Sequence, residues 1–193
     1  LSETDAAIRP DRGDGRKNEW SQQEIDANLA KAFGDKKDEI AAEFKKLFPR
    51  KKVQDALYYS ASSRTGVKQK LARKLEKGKT PVYSYLFAYE APVNGGITAF
   101  HCSEIAFVFH NINQPQSRIA TGGAADALAL QDKVATAWLN FARTGNPSQP
   151  GLEFRPYTPQ DPQTMVFDSV SECRPFQDDR LLSLMPPPPP RRG

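Results

Sequence analysis

From residue 21 onward, apolar positions recur at intervals that a helix would gather onto one face. Ile25, Leu29 and Phe33 fall four apart behind Ser21 and Glu24, an S-x-x-E capping box, which predicts a helix that Gly34 ends. The stretch KKDEIAAEFKKLFP repeats the stripe with Ile40, Phe44 and Leu47 before Pro49 stops it. A third helical segment, from about Val53 to Lys77, is less regular.

The period then changes. PVYSYLFAYE, entered at Pro81, is dense in aromatic and β-branched residues and predicts a buried strand. Asn94, Gly95 and Gly96 turn the chain into a loop, so His101 is expected just beyond a strand's C-terminal end, where open α/β sheets place ligands and catalytic groups. Further on, Leu128, Leu130, Val134, Trp138 and Phe141 mark a long helix closed by Gly145. TMVFD, Thr164 to Asp168, predicts a short strand, and DDRLLSLM a last helix. Helices and strands that alternate in this way favour an α/β layer architecture.

With 193 residues the chain has the length of one domain. The mean hydropathy of −0.63 and the apolar share of 38% are low for a self-contained enzyme, which suggests a piece that packs on further sequence. No run reaches the length of a membrane span. The net charge of +4 gathers at Lys45, Lys46, Arg50, Lys51 and Lys52, and again at Lys68, Lys70, Arg73, Lys74, Lys77 and Lys79. Both groups have acidic neighbours and lack interleaved aromatics, so they read as solvated helix faces and not as a nucleic-acid surface. Cys102 and Cys173 are too few and too far apart for a disulfide framework, and the compartment stays open. Pro186 to Pro190 begin a disordered Pro-rich tail, residues 186–193.

The candidate chemistry centres on His101. A histidine can be a general base, a metal ligand or an ordinary buried side chain. His101, Cys102, Glu104 and His110 crowd one strand-like segment with opposed directions, and their spacing matches no zinc pattern. The GKT at Gly78 to Thr80 lacks the first glycine of a phosphate loop, since Arg73 stands in its place. No serine is framed as G-x-S-x-G.

Four strings, PVYSYLFAYEAP, GGITAFHCSEIAFVFHN, VATAWLNFARTGNP and TMVFD with the later ECR, resemble in order the C-terminal part of the type B carboxylesterases, the family of the cholinesterases and para-nitrobenzyl esterases. The resemblance implies an α/β-hydrolase fold, C-terminal portion only: its last sheet strands with flanking helices. Residues 1–185 would form that section of a single domain, helical over 1–80 and carrying the histidine over 81–185. In the family the histidine of A-F-H-x-x-E is the catalytic base, which falls here on His101. LSETDAAI resembles the remainder of the loop that carries the family's acid, which places the acid at Glu3, with Thr4 departing from the usual aromatic. Glu104 corresponds to a buried carboxylate that supports the loop of the base, and His110 stands where the family often has glycine.

These correspondences imply hydrolysis of a small carboxylic ester through an acyl-serine intermediate, without metal or organic cofactor. The serine and the oxyanion hole would come from an N-terminal remainder of the same fold. The alternative implied by the same resemblance is a catalytically silent, cholinesterase-like binding domain; retention of His101 argues against it. Because the nucleophile and the oxyanion donors are essential to the barrier, the 193-residue chain alone should not turn over a nitrophenyl ester. Serine-dependent turnover by the purified chain would overturn that expectation.

Overall fold

The computed structural model describes residues 17–78, 80–93 and 95–186. Ser21 caps the first helix, α1 (Gln22–Phe33), with both halves of its capping box formed: its hydroxyl accepts from the Glu24 amide, and Glu24 accepts from the Ser21 amide at 2.7 Å. The second stripe becomes α2 (Lys37–Leu47), with Ile40, Phe44 and Leu47 buried. The expected third helix is divided. Val53–Tyr58 form a 3-10 turn, and α3 (Ala61–Lys77) starts only after Ser60, whose hydroxyl accepts from the Ser63 amide.

The long strand expected from Pro81 is shorter. Only Ser84–Phe87 (β1) are paired, in parallel with β2 (Gln163–Phe167), where Ser84 faces Thr164 and Phe87 faces Phe167. Beyond Phe167 the partner chain turns away, so ladder bonds have nowhere to continue. A third strand, β3 (Glu172–Pro175), runs antiparallel on the far side of β2. It escaped the sequence reading because Glu172 and Arg174 give it no apolar alternation.

Alternate side chains of β1 and β2 enter two different cores. Leu86, Ala88 and Val166 pack with Ile40, Phe44, Phe176 and Leu181, beneath α2 and α7 (Asp179–Leu184). Phe87, Met165 and Phe167 pack on the opposite face with Leu130, Val134 and Ala137 of α6 (Ala125–Thr144). Helices therefore cover both faces, as parallel strands require. Gly145, with φ 76°, ends α6 and donates its amide to Phe141 O at 2.8 Å. Phe141 itself is half exposed at the margin of this core, with its ring edge-on to Tyr83.

Part of the basic cluster expected at the surface is inside. Lys51 is buried, with Nζ 3.2 Å from Asp168 Oδ2 at the end of β2 and a further bond to Ala88 O. A lysine there satisfies a strand-end carboxylate and a carbonyl that the sheet leaves without a partner. No helix among the described residues is long and apolar enough to cross a membrane.

Asp178, fully buried before α7, ties the helical face together. It accepts from Tyr59 Oη and Arg64 Nε, both at 2.7 Å, and from Lys68 Nζ at 3.2 Å. Burial alone would raise its pKa, but the Arg64 guanidinium and these hydrogen bonds outweigh it and hold the carboxyl below the usual range. The folded value lies below the unfolded one, near about 3.9. Its contribution is therefore complete above the unfolded value and is lost as pH falls through the folded one. Asp178→Asn leaves the buried Arg64 guanidinium without its carboxylate, while Lys68 keeps Asp179, and should cost about 3–5 kcal/mol at neutral pH. Urea midpoints measured across pH should show that gap narrowing on acidification, and an equally stable variant at pH 7 would contradict it.

Candidate active site

His101 sits on a tight turn. The Ser103 amide donates to Phe100 O at 3.0 Å, and Ser103 Oγ accepts from the Phe100 amide at 3.2 Å, so the turn is closed from both sides. His101 occupies its second position and is exposed. Cys102 occupies the third position with φ 68°, a left-handed conformation in the place that glycine fills in type II turns.

The turn leads directly into a short helix, α4 (Ile105–Val108), and not into the strand-like segment expected there. The apolar run IAFVF reads equally as strand or helix from composition. Packing decides it: Phe107 is buried with its ring centroid 4.9 Å from Phe87 and 5.5 Å from Tyr89. The ring pins the His101 turn to the end of β1. A second helix, α5 (Pro115–Thr121), follows and was not foreseen; Pro115 supplies its first position.

Glu104 stands at the start of α4, half-buried. Its Oε2 is buried and has no hydrogen-bond partner among the described residues. The carboxylate faces the aromatic layer. Tyr85, stacked edge-on against Trp138 at 4.9 Å, has its phenol pushed up to about 12 by burial and, after that, by the charge of Glu104.

His110 is drawn elsewhere. It adopts φ 54°, ends the segment, and places Nε2 2.7 Å from Asp132 Oδ1 on the exposed side of α6. This left-handed backbone is a conformation that glycine adopts without strain. His101, Cys102, Glu104 and His110 are not gathered around a point, and no group of three or more His, Cys, Asp or Glu among the described residues could hold a metal ion. Glu3 lies outside the described residues.

Beside the His101 turn opens a cavity of about 330 Å³, lined among others by Thr98, Phe100, Cys102, Ile105, Phe107 and Ser117. Thr98 is buried, and its hydroxyl has no partner among the described residues. The sequence reading missed Thr98, because a lone threonine in ITAF carries no signal until the chain folds around it.

The strain at Cys102 is testable. A non-glycine residue in this conformation costs about 1–3 kcal/mol. Cys102→Gly relieves that cost while adding unfolded-state entropy, so its thermal midpoint should equal or exceed the wild type, whereas Cys102→Val should melt several degrees lower. A glycine variant that melts below the valine variant would show that the turn is not strained.

Comparison with known proteins agrees with this geometry. Over 90 residues the chain is 32% identical to para-nitrobenzyl esterase of Bacillus subtilis, covering 46% of this chain and 18% of the relative. It is 30% identical over 118 residues to phenmedipham hydrolase of Pseudarthrobacter oxydans, covering 59% and 22%. Among solved structures, an esterase from anaerobic Clostridium hathewayi, described as able to hydrolyze aliphatic aromatic polyesters, superposes with a TM-score of 0.78 at 32% identity, over 88% of this chain and 33% of that one. The chain thus spans roughly a fifth of the length of these curated relatives and a third of that structure. The family model described as Carboxylesterase family matches residues 9–179. With helices on both faces of a mixed sheet and this match along most of its length, the chain is a portion of an α/β-hydrolase fold and belongs to the carboxylesterase family.

Proposed function

We propose that this chain supplies the base, and with Glu3 the acid, of a Ser-Glu-His triad that hydrolyses carboxylic esters. The observation that carries the reading is the turn at Phe100–Ser103: it holds an exposed imidazole beside a largely apolar cavity, on a platform anchored by Phe107. Glu3 precedes the residues matched by the family model, and its assignment rests on the likeness of LSETDAAI to the family's acid loop.

A serine hydroxyl is a weak nucleophile at neutral pH. In the proposed reaction neutral His101 takes its proton as the serine oxygen bonds to the ester carbonyl carbon. Collapse of the tetrahedral adduct breaks the bond to the alkoxy oxygen, which receives that proton and leaves as the alcohol. Water then attacks the acyl-serine with the same histidine as base, releasing the acid and restoring the serine. Glu3 would fix the imidazole's orientation and stabilise its protonated form. Glu104 would act from behind, keeping the start of α4 in place. The serine and oxyanion donors come from sequence outside this chain, and the cavity beside His101 would take one arm of the ester.

In the complete enzyme His101→Ala should abolish nearly all turnover without lowering the melting temperature, because an exposed turn residue contributes little to the core. Glu3→Gln should cost less, since the base remains but is poorly oriented. Glu104→Gln should act mainly on stability. Steady-state kinetics of a nitrophenyl ester beside thermal melts check all three. Retention of most wild-type kcat/KM by His101→Ala would make this histidine structural and remove the assignment.

A further inference from the structure

We infer that Asn18 is a positioning residue for the loop that carries His101, clamping it to the chain that follows Glu3; the inference rests on the reading of His101 as the base. Its side-chain amide donates to Gly95 O at 2.5 Å and to Gly96 O at 3.2 Å, and lies 3.3 Å from Glu90 Oε1. Lys52 Nζ donates to Asn18 Oδ1 at 2.8 Å, so a cation on the oxygen and three acceptors around the nitrogen fix which way the amide points.

The segment bearing this amide is itself anchored. The Lys17 side chain is 2% exposed, with Nζ 2.6 Å from Asp55 Oδ1 and 3.5 Å from Glu90 Oε2. Gln54 Nε2 donates to Lys17 O at 3.1 Å, and the Lys52 amide to Asp55 Oδ2 at 3.1 Å. Lys17, the residue before Asn18, is thereby locked to the Val53–Tyr58 turn through buried bonds.

On the loop side, Ala91 and Ile97 exchange both backbone bonds, at 2.9 and 2.8 Å, and so close a turn that ends at Gly96 and Ile97. Gly96 at φ 110° is where this turn meets the clamp. A Cβ there would stand 2.3 Å from Glu90 Oε1 and 2.5 Å from Asn18 Nδ2, so a bare backbone is required. From Ile97 the chain continues through Thr98 and Ala99, both buried, to His101. A shift of the turn is passed along this short, packed link to the imidazole. Misplacement of a catalytic group by about 1 Å can cost on the order of 10²-fold in rate.

The test uses the complete enzyme, with a nitrophenyl ester as probe and hydrogen exchange over residues 95–101. Asn18→Ala should lower kcat by about tenfold or more with KM within about twofold, and should speed exchange across that segment. Asn18→Asp turns a donor into an acceptor facing two carbonyls, so its loss should be at least as large. Glu90→Gln keeps an oxygen for the Asn18 amide and should lose clearly less kcat than Glu90→Ala; a merely structural role for Glu90 would not separate the pair in this way. Wild-type kcat with unchanged exchange in Asn18→Ala, beside an inactive His101→Ala, would overturn the positioning role alone. Full activity in His101→Ala would overturn the functional reading and the positioning role together.

Discussion

The parallel pairing of β1 with β2, buried on both faces, is the constraint on which the rest of the structure depends. Neighbouring residues of one short strand point to opposite sides, so Leu86 and Phe87 belong to separate cores only one residue apart. Each core then demands its own helical cover: α2 and α7 on one side, α6 with α4 on the other. A slip of one residue in the register would exchange the two sets of side chains, and neither helical layer would fit.

The proposed site follows from that pairing. β1 ends at Phe87, and the chain that leaves it must cross to α6 before returning as β2. Along this crossover the aromatic contacts of Phe107 with Phe87 and Tyr89 hold α4 to the strand end, while the reciprocal Phe100–Ser103 bonds turn His101 outward. An apolar anchor and an exposed imidazole only six residues apart illustrate how a rigid scaffold carries a reactive group on a loop. Buried polar pairs complete the frame. Asp178 joins α3 to the approach of α7, Asp168 joins the end of β2 to Lys51, and the Lys17–Asp55 pair fixes the chain before α1; each carboxylate is costly to bury without its cation.

Membership of the carboxylesterase family was already visible in the strings around His101 and Trp138, and the match to residues 9–179 bears it out. The helices α1, α2 and α6 were legible because their apolar stripes recur at helical spacing and two of them carry a local stop at glycine. Their signals are short-range and need nothing from the rest of the chain. Strand β2 was found nearly in place, since TMVF is apolar on both sides, as a doubly covered strand must be.

What the sequence by itself determined, then, was the periodic elements, the α/β class and the family resemblance around His101, all carried by side chains within a few residues of one another. The tertiary structure alone decided that Ile105–Val108 coil and do not extend, that polar β3 pairs with β2, and that Lys51 and Arg64 lie inside. It also brought Asn18 to Gly96 across most of the described chain's first half. The reason is physical. A short apolar run has no preferred period until Phe107 finds Phe87, and a charged residue becomes buried only where folding supplies a counter-charge that no local stretch contains.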